Sequence, residues 1–224
     1  MKTNEELQRD VQNAMKWEPV LHAAAIGVTV NDGIVTLTGT VDAYFKKTEA
    51  ENAAKNVAGV TALVENIIVR LPSKFIKSDN EVAEEVLKAL KDSWSVPADK
   101  IKVKVEHGRV TLDGKLPWNY QREAAKNNIL FLPGVTGVTN NIMIESEVKE
   151  AIEVQAVEAA LERNWAINCK KITVTASGTT VTLTGTVDSM YQKDEACRIA
   201  WNTPGVWSVI NKLVVEYDYS YVEL

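Results

Sequence analysis

Few residues in this 224-residue chain combine a reactive type with a spacing that could do chemistry. Two histidines, His22 and His107, are the candidates for proton transfer or metal ligation. Neither has a second His, Cys or carboxylate at the helical or turn spacing that a metal site needs. Each reads as an ordinary loop or turn residue. Cys169 and Cys197 are too few for a disulfide framework or a zinc site, and read as small buried hydrophobes. The hydroxyls of Thr36, Thr111 and Thr182 alternate with apolar neighbours, as solvent-facing strand residues do. A glycine follows each of those strands, but a lone glycine before a helix is weak ground for a phosphate site. Catalytic, metal and cofactor sites are therefore all expected to be absent. One constellation does recur, an aromatic beside a cation. It comprises Phe45 with Lys46 and Lys47, then Trp118 and Tyr120 with Arg122, then Tyr191 with Lys193, flanked by Tyr44 and Met190. Aromatics next to cations suit a lipid headgroup region or a partner surface. The competing reading is that each ring closes the end of its own core and each cation is solvated.

The elements that position these residues are set by an internal repeat. Val35-Thr36-Leu37-Thr38-Gly39 returns as Val110-Thr111-Leu112-Asp113-Gly114 and as Val181-Thr182-Leu183-Thr184-Gly185. Twenty residues past each closing glycine stands a Gly-Val pair, at Gly59, Gly134 and Gly205. Ahead of each motif lies an alternating apolar run: Ile26, Val28, Val30; Ile101, Val103, Val105; Ile172, Val174. Period two predicts a half-buried strand. Asn31-Asp32-Gly33, Glu106-His107-Gly108 and Ala176-Ser177-Gly178 supply the turns between paired strands. Before each hairpin comes a helical period: Leu7, Val11 and Met15 behind Asn4 as cap; Val82, Val86 and Leu90 behind Ser78 and Asp79; Val157 and Leu161. Each of these helices ends near a tryptophan, Trp17, Trp94 or Trp165. A second helix follows each hairpin, its inner face marked by Ala50 and Ala54, Ala125 and Ile129, Ala196 and Ala200. A final strand closes each copy.

The expected fold is therefore α/β, or α+β: three tandem α-β-β-α-β domains. Each is a three-stranded mixed sheet with two helices on one face, because a helix crossing between strands of one sheet demands a parallel pairing. The boundaries are placed at 1–71, 77–146 and 147–217. The joint after Leu71 is expected to be freer than the short one after Glu145. The tail Tyr217-Asp218-Tyr219-Ser220-Tyr221 could extend the last strand.

Composition narrows function by exclusion. Twenty-five Lys and Arg against thirty Asp and Glu give a net charge of −5, the wrong sign for phosphate neutralisation, so no nucleic acid is expected as partner. No stretch reaches the roughly 20 apolar residues of a membrane span. Met1-Lys2-Thr3-Asn4-Glu5-Glu6 has no apolar signal region, so a cytoplasmic location is expected, or a periplasmic one if a signal has been removed.

A helix, a hairpin carrying Val-Thr-Leu-Thr-Gly, a helix running to Gly-Val, and a strand with a polar residue at Glu65, Asn140 or Asn211 together resemble the BON domain over nearly the whole chain. The family has Asn at that last position, and the first copy departs from it. The resemblance implies a non-enzymatic binding module, associated with osmotic and envelope stress, transport and secretion. Its implied partner is a phospholipid surface or an envelope protein. Two alternatives stand beside it: a scaffold that self-associates or docks a partner, and a stress protein binding a small ligand or ion.

Overall fold

The computed structural model describes residues 2–21, 25–145 and 152–216. His22, the joint at 146–151 and the aromatic tail from Tyr217 lie outside the described residues.

The second copy shows how local sequence builds the unit. Ser78 caps α3 (Asp79–Asp92) in a full capping box. Its hydroxyl takes the Glu81 N–H, and the Glu81 carboxylate takes the Ser78 N–H. Val82, Val86 and Leu90 then fall on one buried face. A single 3₁₀ turn, Ala98–Lys100, leads into β4 (Ile101–Glu106), which pairs antiparallel with β5 (Arg109–Leu116). α4 (Asn119–Asn127) crosses over, and β6 (Gly137–Ile144) returns parallel to β5. The central strand is β5. Val110 and Leu112 alternate inward beneath Ala125 and Ile129 and are fully buried with Val86 in one core. Both helices therefore pack on the same face of the sheet, as expected.

The other copies follow the plan. The first has α1 (Asn4–Lys16), β1 (Ala25–Asn31), β2 (Ile34–Val41), α2 (Tyr44–Lys55) and β3 (Ala62–Val69), with sheet order β1-β2-β3. The third has α5 (Val154–Glu162), β7 (Ile172–Ser177), β8 (Thr180–Val187), α6 (Met190–Trp201) and β9 (Ser208–Val215), with β8 antiparallel to β7 and parallel to β9.

The closing glycine of each motif is required by a close backbone approach. Gly39, Gly114 and Gly185 have φ of 136°, 157° and 118°. A Cβ on them would stand 2.0 to 2.3 Å from the carbonyl oxygen of Ala25, Lys100 or Lys171, where the chain enters the adjacent strand. No side chain fits there.

Three local expectations are corrected. Thr3, not Asn4, caps α1, again in a capping box with Glu6. Asn4 is the first helical residue, and its Oδ1 accepts the Asp32 N–H in the hairpin turn. The third turn is shifted by one residue: strand pairing ends at Ser177 and Thr180, so its loop is Gly178-Thr179. Gly178 holds the positive φ at the first loop position, as Asp32 and His107 do in the other copies. Among the loop residues Asp32-Gly33 and His107-Gly108 both have positive φ, the type I′ pattern; in the third only Gly178 does, the type II′ pattern. Finally, Cys169 and Cys197 are half-buried rather than fully buried, and Cys169 packs against the core of the third copy.

Backbone contacts group the chain into two units, one of 1–39, 48–67 and 150–224, the other of 40–47 and 68–149. In the second unit the first joint is packed, against the expectation of freedom. Tyr44 packs against the core of the second copy, and the rings of Phe45 and Phe131 lie 5.1 Å apart, tilted by 35°. In the first unit α2 and α6 are linked by an exposed ion pair, Lys55 to Asp194 at 3.0 Å.

Candidate functional site

Strand register places the aromatic residues of the second and third copies at one end of each sheet. Ile101 pairs with Gly114 and Ile172 with Gly185. The first helix of each copy leads into the start of the first strand, and the second helix leaves from the end of its partner. Antiparallel pairing therefore brings the exit of one helix and the start of the other to the same end. Trp94 thus shares an end with Trp118 and Tyr120, and Trp165 with Tyr191.

Exposure separates the roles of these rings. Trp118, Tyr120 and Tyr191 are 39%, 52% and 43% exposed. Trp118 occupies the cap position of α4 without donating a side-chain cap. Arg122 Nε lies 3.4 Å from Glu123, and Lys193 is half-buried on α6. The first copy differs. Phe45 is engaged by Phe131, and Lys46 is paired with Asp42 at 2.8 Å, one helical turn away. Lys47 is half-buried beside them. The eight residues singled out by type and spacing thus divide into a packed set in the first copy and, in the other two, exposed rings beside half-buried cations.

The three tryptophans near the first-helix ends are the most exposed large hydrophobic side chains among the described residues, and residue type alone did not flag them. Trp17, Trp94 and Trp165 are 85%, 96% and 96% exposed. An exposed indole thus stands just past the first helix in every copy, an amphipathic ring with little packing inside the fold. The available signal was their recurrence outside the apolar stripe of each helix.

The polar residue of the last strand has a structural role. Asn140 Nδ2 donates to the Arg122 carbonyl at 2.9 Å while its Oδ1 accepts the Ile142 N–H. Asn211 does the same with Lys193 and Leu213. Each amide staples the last strand to the second helix, near the cations of the candidate site. In the first copy Glu65 accepts the Ile67 N–H, but a carboxylate has no N–H to give to a helix carbonyl.

The Arg198 guanidinium grips Glu195 through two bonds of 2.7 Å, which holds the Glu195 carboxyl below its ordinary pKa and raises that of Arg198. Among the described residues, no group of three or more His, Cys, Asp or Glu side chains is disposed to hold a metal ion. Among the same residues, no helix is long and apolar enough to cross a membrane.

A mixed three-stranded sheet under two helices, repeated in tandem with exposed aromatics at one end, defines a modular protein of small α-β-β-α-β domains. The BON domain model matches residues 3–70, 78–146 and 143–217, and the chain belongs to the BON-domain family. Osmotically-inducible protein Y of Escherichia coli (strain K12) is 30% identical over 143 residues, 60% of this chain and 71% of that protein. Among solved structures, the C-terminal domain of CdsD, a structural protein of the type III secretion system of Chlamydia trachomatis, aligns at 18% identity. The alignment covers 96% of this chain and 100% of that one, with a TM-score of 0.26. The PrgH periplasmic domain aligns at 12% identity over 94% and 99% of the two chains, with a TM-score of 0.20. Likeness at that level carries no argument about function.

Proposed function

We propose that this protein is a non-enzymatic, stress-associated BON protein that engages phospholipid surfaces through the aromatic end of its repeated units, bounded near residues 71–77 and 146–147. The observation that carries the reading is the exposed indole repeated at Trp17, Trp94 and Trp165. In the second and third copies it stands at the same sheet end as Trp118, Tyr120 and Tyr191. Amphipathic rings of this kind partition to the headgroup level of a bilayer, with Arg122 and Lys193 nearby to meet anionic lipid. Relationship to an osmotically inducible protein supports the stress association.

Co-sedimentation with vesicles of anionic phospholipid at low salt tests this reading. The chain is expected to pellet with anionic vesicles and less with zwitterionic ones. The Trp94→Ala/Trp165→Ala double variant should lose most of that binding while keeping its melting temperature, since both rings lie outside the core. No pelleting at low salt would sink the lipid reading.

A protein-docking or self-associating role is favoured by a different observation. Met143, Ile210 and Val214 remain exposed on last strands, on the sheet faces opposite the helices. Light scattering after size exclusion separates this reading, which requires a concentration-dependent assembly lost on Met143→Glu or Val214→Glu.

A further inference from the structure

The first joint holds a cavity of about 120 Å³. It lies wholly within the second unit, between the start of α2, the segment after β3 and the exit of α4. Four aromatic residues line it: Tyr44 and Phe45 from α2, Phe75 from the joint and Phe131 from beyond α4. Leu132 and other aliphatic residues complete the wall. Phe131 and Phe75 are 67% and 39% exposed, so the rim of the cavity faces solvent. The Lys74 ammonium sits over the Phe75 ring, 4.8 Å from its centre.

This lining is what the copies do not share. In the register set by the motif glycines, the place of Phe131 is held by Asn56 in the first copy and Asn202 in the third. The place of Tyr44 is held by Asn119 and Met190. Phe75 belongs to the joint, outside the repeated unit. A packing duty common to every BON unit therefore does not account for these rings.

Size and chemistry select an occupant. An apolar cavity of about 150 Å³ walled by leucine, isoleucine and phenylalanine stays dry and takes up benzene, and this one is of the same order. A single ring suits that volume, whereas a lipid tail needs a site several times larger. The Phe45 and Phe131 rings stand 5.1 Å apart at a 35° tilt, and a further ring adds to such a cluster by edge-to-face contact. Among the described lining residues, Asp42 alone carries a charge. Its Oδ1 takes the Lys46 ammonium at 2.8 Å, and the half-exposed carboxylate has capacity for a further donor on Oδ2. An incoming hydroxyl meets an acceptor there, and an incoming anion meets a like charge.

We propose that this cavity binds a small monocyclic aromatic alcohol, its ring among Phe45, Phe75 and Phe131 and its hydroxyl on the Asp42 carboxylate. The site is separate from the exposed tryptophans and independent of the phospholipid reading.

The test is titration of the isotope-labelled full chain with benzyl alcohol, read by the amide shifts of residues 42–45 and 130–132. Saturation with a Kd of about 1 mM or tighter is expected, a strength open to so small a ligand. Benzoate, which changes the charge, and cyclohexylmethanol, which removes the aromatic ring, should each bind at least about fivefold more weakly. Phe131→Asn installs the residue that both other copies carry and should weaken benzyl alcohol by about tenfold or more. Ala43 also lines the cavity, and its counterpart in the second copy is Trp118. Ala43→Trp should therefore narrow the cavity and weaken binding as much, with the amide spectrum outside the joint unchanged. Asp42→Asn should abolish the discrimination against benzoate and leave ring binding in place. Three outcomes overturn the proposal. The first is the absence of saturable shifts at the joint. The second is benzoate or cyclohexylmethanol binding as tightly as benzyl alcohol. The third is unchanged affinity in folded Phe131→Asn and Ala43→Trp chains.

Discussion

The carboxylate of Asp79 receives the backbone N–H of Gly108 at 2.9 Å, tying the first turn of α3 to the hairpin tip between β4 and β5. Its other oxygen receives the His107 N–H, also at 2.9 Å. The two N–H bonds, Gly108 first, hold the Asp79 carboxyl below its ordinary pKa. In the first copy Asn4 makes one such bond, to Asp32. Helix-to-turn tethering is therefore stronger in the second copy, with two bonds, than in the first, with one.

Asp79 should make stability pH-dependent in a defined direction. Its pKa is lower folded than unfolded, so its contribution is fully present above the unfolded carboxylate value of about 3.9 and is lost as pH falls through the folded value. Asp79→Asn keeps one acceptor and no charge. Urea midpoints of the two proteins should differ at pH 7 and converge below about pH 4. Glu6 and Glu81, lowered by their bonds to Thr3 and Ser78, lose stability in the same acid window in both proteins. A gap between the two proteins that persists at acid pH would rule out the charge-assisted tether.

Asn140→Ala removes a donor to the Arg122 carbonyl and an acceptor for the Ile142 N–H, both partly buried. The expected cost is about 1–3 kcal/mol, because the groups left behind lose their partners. Asn211→Ala should cost a similar amount. Asn140→Glu, which copies the first repeat, should retain the bond to Ile142 and recover part of the loss. Chemical denaturation measures all three, and a neutral Asn140→Ala would contradict the staple.

Gly185→Ala should be worse than an ordinary strand substitution. The new methyl would collide with the Lys171 carbonyl oxygen at 2.0 Å, and the residue keeps a φ of 118°. A loss well above about 1 kcal/mol is expected. Gly178→Ala is a control with no atom within 4 Å of the added methyl, so it feels only the strain of its positive φ. Equal effects at the two positions would refute the clash.

Phe45 and Phe131 should be energetically coupled. A double-mutant cycle with Phe45→Ala and Phe131→Ala is expected to give about 0.5–1.5 kcal/mol, the worth of a tilted aromatic pair beyond its buried area. Additive losses would mean that the ring contact does not hold the first joint.

The aromatic–cation candidates were legible in the sequence as a spacing from each motif glycine, but their availability was not. Phe45 and Tyr120 hold equivalent positions, and only packing shows that Phe45 is engaged by Phe131 while Tyr120 is half open. Asn4 and Asp79 looked like caps because short polar residues at a helix start usually cap. They reach instead across the fold to a hairpin that local sequence cannot place beside them.

By itself the sequence determined the three-copy plan, the strand and helix periods and the inward Val and Leu of each motif. Those features repeat over two to four residues and depend on local backbone geometry. The motif glycines were legible for the same reason, as fixed punctuation of the repeat, although the carbonyl that forbids a side chain there comes from the chain entering a neighbouring strand. Only the tertiary structure decided which rings find packing partners: Phe45 meets Phe131, while the indoles of Trp17, Trp94 and Trp165 stay exposed. Partnership is settled between segments far apart in the chain, where no local period reaches.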